Sequence, residues 1–130
     1  GVITGHAETL AKRQLQAAGY KDVLAVASAP PVAFWKRDIF WRSGGFYGGG
    51  LYRLGQGAVV DLTATPTGVD DARLAGWLKA NAGARAFYFW SRMPIIEQDE
   101  PNGPVFLRDQ RYHDKHSRSR FEVRLGNVNN

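Results

Sequence analysis

Apolar positions follow a helical spacing near the start of the chain and alternate over the middle. Leu10, Ala11, Gln14, Leu15 and Ala18 fall near one stripe, with Lys12, Arg13 and Gln16 on the other side. That pattern predicts a helix over 6–18, stopped by Gly19, a residue that enters a left-handed backbone without steric cost. Val23 to Ser28 is short and partly β-branched and predicts a strand ending at Pro30-Pro31. From Ala33 to Arg42 the side chains alternate. Trp35, Ile39 and Trp41 share one side; Phe34, Lys36, Asp38 and Phe40 share the other. Ser43-Gly44-Gly45 then supplies a turn and Phe46 to Leu54 the return strand of a hairpin. Three glycines, 48–50, sit inside that return strand, where glycine is unfavourable without a packing reason. The reason expected here is a large side chain, Trp35, Ile39 or Trp41, lying across them. A phosphate loop does not fit, because neither Lys-Ser/Thr nor a helix follows.

The second half reads as a broken helix and more antiparallel strands. Val59 to Thr63 is a short strand or an extended connector, closed by Pro66. Thr67 has the chemistry of an N-cap, with Asp70 and Asp71 in the first turn. Leu74, Trp77, Leu78 and Ala82 then make the apolar stripe of a helix over 68–81. Asn81 and Gly83 interrupt it, and residues 84–93 resume as a second piece that Pro94 ends. Strands are predicted over 94–98 and 104–112, joined by the turn-rich Asp99-Glu100-Pro101-Asn102-Gly103, with 95 opposite roughly 107. His113 to Ser119 is a polar loop, Arg120 to Leu125 alternates as a half-exposed strand, and 126–130 is expected to fray. The whole predicts an α+β fold. It is a single domain with a twisted antiparallel sheet, packed with an N-terminal helix and a broken central helix around one shared core.

Composition narrows the chemistry. The 130 residues are 44% hydrophobic and 22% charged, as in ordinary globular domains, and contain no cysteine. Thiol catalysis, disulfides and thiolate zinc sites are excluded. No apolar run reaches the roughly 18 residues of a membrane span. The net charge of +5 favours anionic neighbours without specifying one. Nucleophile elbows are absent, and the acid pairs Asp70-Asp71 and Asp99-Glu100 serve a helix start and a turn.

Three groupings remain as candidate sites. His113 and His116 are three apart, but Lys115 between them repels a cation, and no metal site is predicted there. The basic stretch Arg108, Arg111, Lys115, Arg118, Arg120 and Arg124, with Tyr112 and Phe121 interleaved, has the composition of a single-strand nucleic-acid surface, yet no recognised RNA-binding motif accompanies it. The third is a polar corner of Arg92, Asp109 and Arg111. Pro94 ends the helix so that Arg92 points towards the sheet, and hairpin pairing brings Asp109 near it, with Arg111 as a second partner. Such a corner either holds the fold together, the favoured use, or lines a ligand pocket.

The order of these motifs resembles a known family. The helix from His6, the Val-Leu-Ala-Val-Ala-Ser-Ala-Pro-Pro strand, Phe34-Trp35, the Tyr/Gly-rich return strand, Phe89-Trp90-Ser91-Arg92-Met93-Pro94-Ile95-Ile96 and Leu107-Arg108-Asp109-Gln110-Arg111-Tyr112 follow one another as in the C-terminal soluble domain of the YdjM-like proteins. These are a bacterial inner-membrane family of metal-dependent hydrolases. The resemblance implies that residues 1–130 form that domain of a longer membrane protein, with 1–5 the tail of its last membrane helix. The family's histidine and aspartate motifs belong to the membrane-spanning part. No catalytic residue, metal or cofactor is therefore expected in this stretch, and any divalent metal would sit in that other part.

The implied role is a non-catalytic accessory domain whose partner is its own N-terminal membrane domain. Lys12, Arg13 and Lys21 would lie near anionic lipid headgroups, and this basic flank favours the cytoplasmic side of the inner membrane. The alternatives are a basic binding module for nucleic acid or an acidic partner, and a domain that completes a hydrolase site through Arg92, Asp109 and Arg111.

Overall fold

A computed structural model describes residues 1–28, 35–113 and 121–127. The architecture is α+β with antiparallel pairing throughout, an N-terminal helix and a broken central helix, as the patterning predicts. The strands are shared between two sheets, and the chain divides into two compact units, Gly1–Pro66 and Thr67–Asn130. Among the described residues, no helix is long and apolar enough to cross a membrane.

The first unit packs α1 (Val2–Ala17) on a sheet of β1 (Leu24–Ser28), β2 (Lys36–Ser43), β3 (Phe46–Arg53) and β4 (Gly57–Val60), in that order. The two-residue β5 (Thr65–Pro66) also pairs with β3. Helix α1 starts four residues earlier than predicted, so Val2 to Gly5 are part of it. Its buried stripe is Ala7, Ala11 and Leu15, a regular i, i+4, i+8 line. Gln14 and Ala18, placed on the apolar stripe by the sequence, face solvent, and Gln14 donates its amide to the Ala58 carbonyl at 2.7 Å. Small residues on this stripe bring the helix close to the sheet, where Ala27, Ile39 and Tyr52 meet it and Trp41 packs with Leu15 and Val23.

The glycine run has the packing reason the sequence suggested, and Trp41 supplies it. Trp41 pairs with Gly48, and a Cβ built on Gly48 would stand 2.5 Å from the indole ring. The ring is fully buried, and its Nε1 donates to the Asp61 carbonyl at 3.0 Å. At Gly50 a Cβ would meet the Val59 carbonyl at 2.8 Å, because β4 pairs there. Gly49 has only ordinary contact room, 3.5 Å from the nearest atom.

The second unit holds α2 (Leu74–Ala80), α3 (Ala82–Trp90) and a sheet ordered β6 (Pro94–Gln98), β7 (Pro104–Asp109), β8 (Glu122–Asn127). The helix predicted over 68–81 begins only at Leu74. Thr67 is not its cap. It is fully buried, and its carbonyl accepts from Ile96 N–H at 2.8 Å along the edge of β6. Gly68 then turns with φ of 76°, and Asp71 accepts from the Arg73 backbone at 2.8 Å. The break at Asn81 is where the sequence put it. Asn81 is extended, and its side chain caps α3 by accepting from Ala84 N–H at 3.0 Å.

Leu74, Trp77 and Val105 form the core of this unit, with Val69, Leu78, Tyr88, Ile96 and Leu125 packed around them. Strand β7 stops at Asp109, and residues 110–112 form a 3₁₀ turn where a strand was predicted. Strand β8 runs on to Asn127, so Gly126 and Asn127 are paired where fraying was expected. The expectations for 29–34, 114–120 and 128–130 lie outside the described residues.

Candidate functional site

The polar corner exists, with a different cation from the one first expected. In the β6–β7 hairpin Ile95 pairs with Arg108 and Pro94 with Asp109, one residue from the predicted register. Alternation along β7 sends Arg108 and Asp109 to opposite faces of the sheet. Asp109 is fully buried. Where β7 ends, the chain tightens into the 3₁₀ turn, and the Asp109 carboxylate caps it by accepting from the Arg111 backbone N–H at 2.9 Å.

The same turn folds the Arg111 guanidinium back onto that carboxylate, with Nε donating to Oδ1 at 2.9 Å and Nη2 to Oδ2 at 3.0 Å. The Ser91 hydroxyl, at the end of α3, donates to Oδ2 at 2.6 Å. Burial pushes the Asp109 carboxyl up, and the hydrogen bonds from Arg111 and Ser91 outweigh that, holding it below the usual aspartate range. Arg111 is raised in turn by its bonds to Asp109.

Arg92 does not join this corner. It is exposed, and it makes no hydrogen bond or ion pair among the described residues. After Ser91 turns inward, Met93 is the next buried side chain, which sends Arg92 outward between them. Of the three predicted residues, the structure brings Asp109 and Arg111 together and leaves Arg92 at the surface.

The opposite face carries a second cluster that sequence reasoning missed. Arg108 is 1% exposed. Its guanidinium donates twice to Asp99, at 2.7 and 2.8 Å, once to Glu97 at 3.1 Å and once to Glu122 at 3.2 Å. It also lies over the Phe106 ring at 4.6 Å. Its Nε has no acceptor among the described residues. These bonds, Asp99 first, raise the Arg108 pKa still further. Glu97 is pushed up by burial and brought below the ordinary range by hydrogen bonds from His113, 3.5 Å away, and from Arg108. The sequence signal was available only through register. β6 supplies Glu97, the turn Asp99 and β8 Glu122, and only strand pairing shows that they converge on one arginine.

The remaining candidates are distributed differently. His113 is half-buried against Glu97, while His116 lies outside the described residues. His6 packs edge-on to Tyr52. Among the described residues, no group of three or more His, Asp or Glu is placed to hold a metal. Of the basic stretch, Arg108 and Arg111 are committed to internal carboxylates, Arg124 is exposed, and Lys115, Arg118 and Arg120 are outside the described residues. In the first unit, Lys12 lines a shallow cleft between α1 and β1 together with Glu8 and Thr9, and Glu8 accepts from the Ala27 N–H at 2.9 Å.

No protein-family model, curated protein or solved structure matches the chain.

Proposed function

We propose that this chain is a non-catalytic accessory domain of a bacterial inner-membrane protein, of the YdjM-like kind that its motif order resembles. The observation that carries the non-catalytic reading is the saturation of Asp109. A carboxylate has about four acceptor sites, and Asp109 receives four donors, one from Ser91 and three from Arg111. A carboxylate filled in this way has no free lone pair to take a proton from substrate or to ligate a metal. The two terminal nitrogens of Arg108 are likewise engaged, shared among three carboxylates. Both groups therefore serve as internal fasteners of a small sheet.

On this reading the domain's partner is its own membrane-embedded part, which would hold any divalent metal. The basic residues Lys12, Arg13 and Lys21 favour a cytoplasmic position next to anionic headgroups. The test is hydrolysis of generic ester and phosphoester probes by the chain in the presence of magnesium, manganese or zinc. Turnover no higher than a protein-free blank is expected. Turnover that disappears in a folded Asp109→Asn variant would overturn the reading.

A further inference from the structure

The outward face of α3 is turned away from the core of its unit, and only Arg85 at its margin bonds back, to the Leu78 and Lys79 carbonyls. Helix α3 buries Ala84 and half-buries Phe87 and Tyr88 on its inner side. Ala82, Ala86 and Phe89 lie on the opposite side, with Arg85 and Trp90 at its margins, and all five face solvent. Phe89 is 94% exposed and Trp90 64%. A surface helix ordinarily sets a polar face against its apolar one; here both faces are apolar. Single exposed apolar residues are commonplace, but adjacent Phe and Trp on an otherwise alanine face form a patch.

Along the chain, the charge flanking α3 has one sign. No acidic residue occurs between Asp71 and Glu97, while Arg73, Lys79, Arg85 and Arg92 all do. Arg73 is held by Asp71, and Arg85, although exposed, donates to the Leu78 and Lys79 carbonyls at 2.9 and 2.8 Å; Lys79 and Arg92 are exposed. Arg85 stands four residues before Phe89 and so shares its side of the helix; Arg92 lies two residues beyond Trp90.

We propose that this face docks on an anionic lipid bilayer. Phe89 and Trp90 enter the interface, and Lys79 and Arg92 meet the headgroup phosphates. Aromatic and aliphatic side chains on one face, rimmed by cations, are what an interfacial helix requires. The nine residues of α3 span about 13 Å, enough to lie in the interface and far too short to cross it. A second copy of the chain is a poorer occupant, because a two-fold contact through this face would set arginines against arginines. The inference stands on this face alone and does not rest on the accessory-domain reading.

The test is co-sedimentation of the chain with vesicles of phosphatidylcholine alone or mixed with phosphatidylglycerol. Binding to the mixed vesicles only, weakened by added sodium chloride, is expected. A Phe89→Ser/Trp90→Ser variant should partition at least about tenfold less, with unchanged circular dichroism, since both side chains are mostly in water and neither belongs to the core. Lys79→Glu/Arg92→Glu, which also leaves the core untouched, should lose binding as well. Trp90→Phe should still sediment but lose the blue shift of tryptophan emission on vesicles. The proposal is overturned if the chain ignores anionic vesicles. It is equally overturned if both double variants bind as the parent does, or if the face instead drives dimerisation that the serine variant abolishes.

Discussion

Asp109 anchors the polar corner of the second unit. It is a buried carboxylate made tolerable by one guanidinium and one hydroxyl, so its partners are not interchangeable with water. Replacing Asp109 with Asn leaves Arg111 facing a neutral amide with fewer acceptor sites. Breaking a buried pair from one side costs about 3–5 kcal/mol, and urea denaturation at neutral pH should show a loss of that order. Removing the Ser91 hydroxyl should cost less, about 1.5–3 kcal/mol for one bond to a charged group.

The sign with pH follows from the lowered carboxyl. The folded state holds Asp109 ionised more firmly than the unfolded state does, so its contribution is complete above the ordinary aspartate value of about 3.9. It is lost as pH falls through the folded value. Asp109→Asn should therefore flatten the acid limb of the stability curve, and an unchanged limb would contradict the lowering of this carboxyl by Arg111 and Ser91. That Arg111, and not Arg92, would be the main partner was hard to read from sequence. A strand continued to 112 gives Arg111 no backbone role, whereas the 3₁₀ turn lets one aspartate cap the turn and bind its arginine two residues later.

At the scale of elements, the alternation of the aromatic hairpin and the break at Asn81 were legible because each has a local cause. Trp41 and Ile39 are two apart on one strand face, and Asn81 is a capping residue between two apolar helical stretches. The start of α2 was not legible. The Thr67 backbone is taken up by the edge of β6, an interaction with a residue 29 positions away that overrides an otherwise good capping sequence.

The glycine run gives a contrast that tests the packing directly. Gly48→Ala drives a methyl into the buried Trp41 ring, and overpacking of this kind costs about 1–3 kcal/mol. Gly49→Ala meets only ordinary contacts and removes some unfolded-chain freedom, so it should be neutral or stabilising by up to about 1 kcal/mol. Thermal melts of the two variants should move in opposite directions or at least differ by several degrees. Asn81→Ala removes the side-chain acceptor at the start of α3 and should cost about 0.5–2 kcal/mol, visible as a lower melting temperature.

For the whole molecule, the sequence made the α+β class legible, because class follows from the kinds of elements and their order. The partition of strands into two sheets was not legible, since it depends on which edges stay unpaired. The partition has a measurable consequence. Each sheet has interior strands bonded on both sides: β2 and β3 in the first, β7 in the second. Their amides are sheltered by neighbours and by the clusters around Ile39, Trp41 and Val105. Opening them requires unfolding most of a unit, so they should exchange with solvent more slowly than amides of the edge strands β1, β4, β6 and β8.

Hydrogen exchange should accordingly reveal two separated groups of slow amides, one centred on 39–41 and one on 105–109. Leu107 is fully buried in β7, and Leu107→Ala should cost about 2–5 kcal/mol. That loss should accelerate exchange across β6, β7 and β8 together, because the three strands share one ladder and one core. If only the amides next to position 107 responded, the second unit would not be the cooperative body its packing describes.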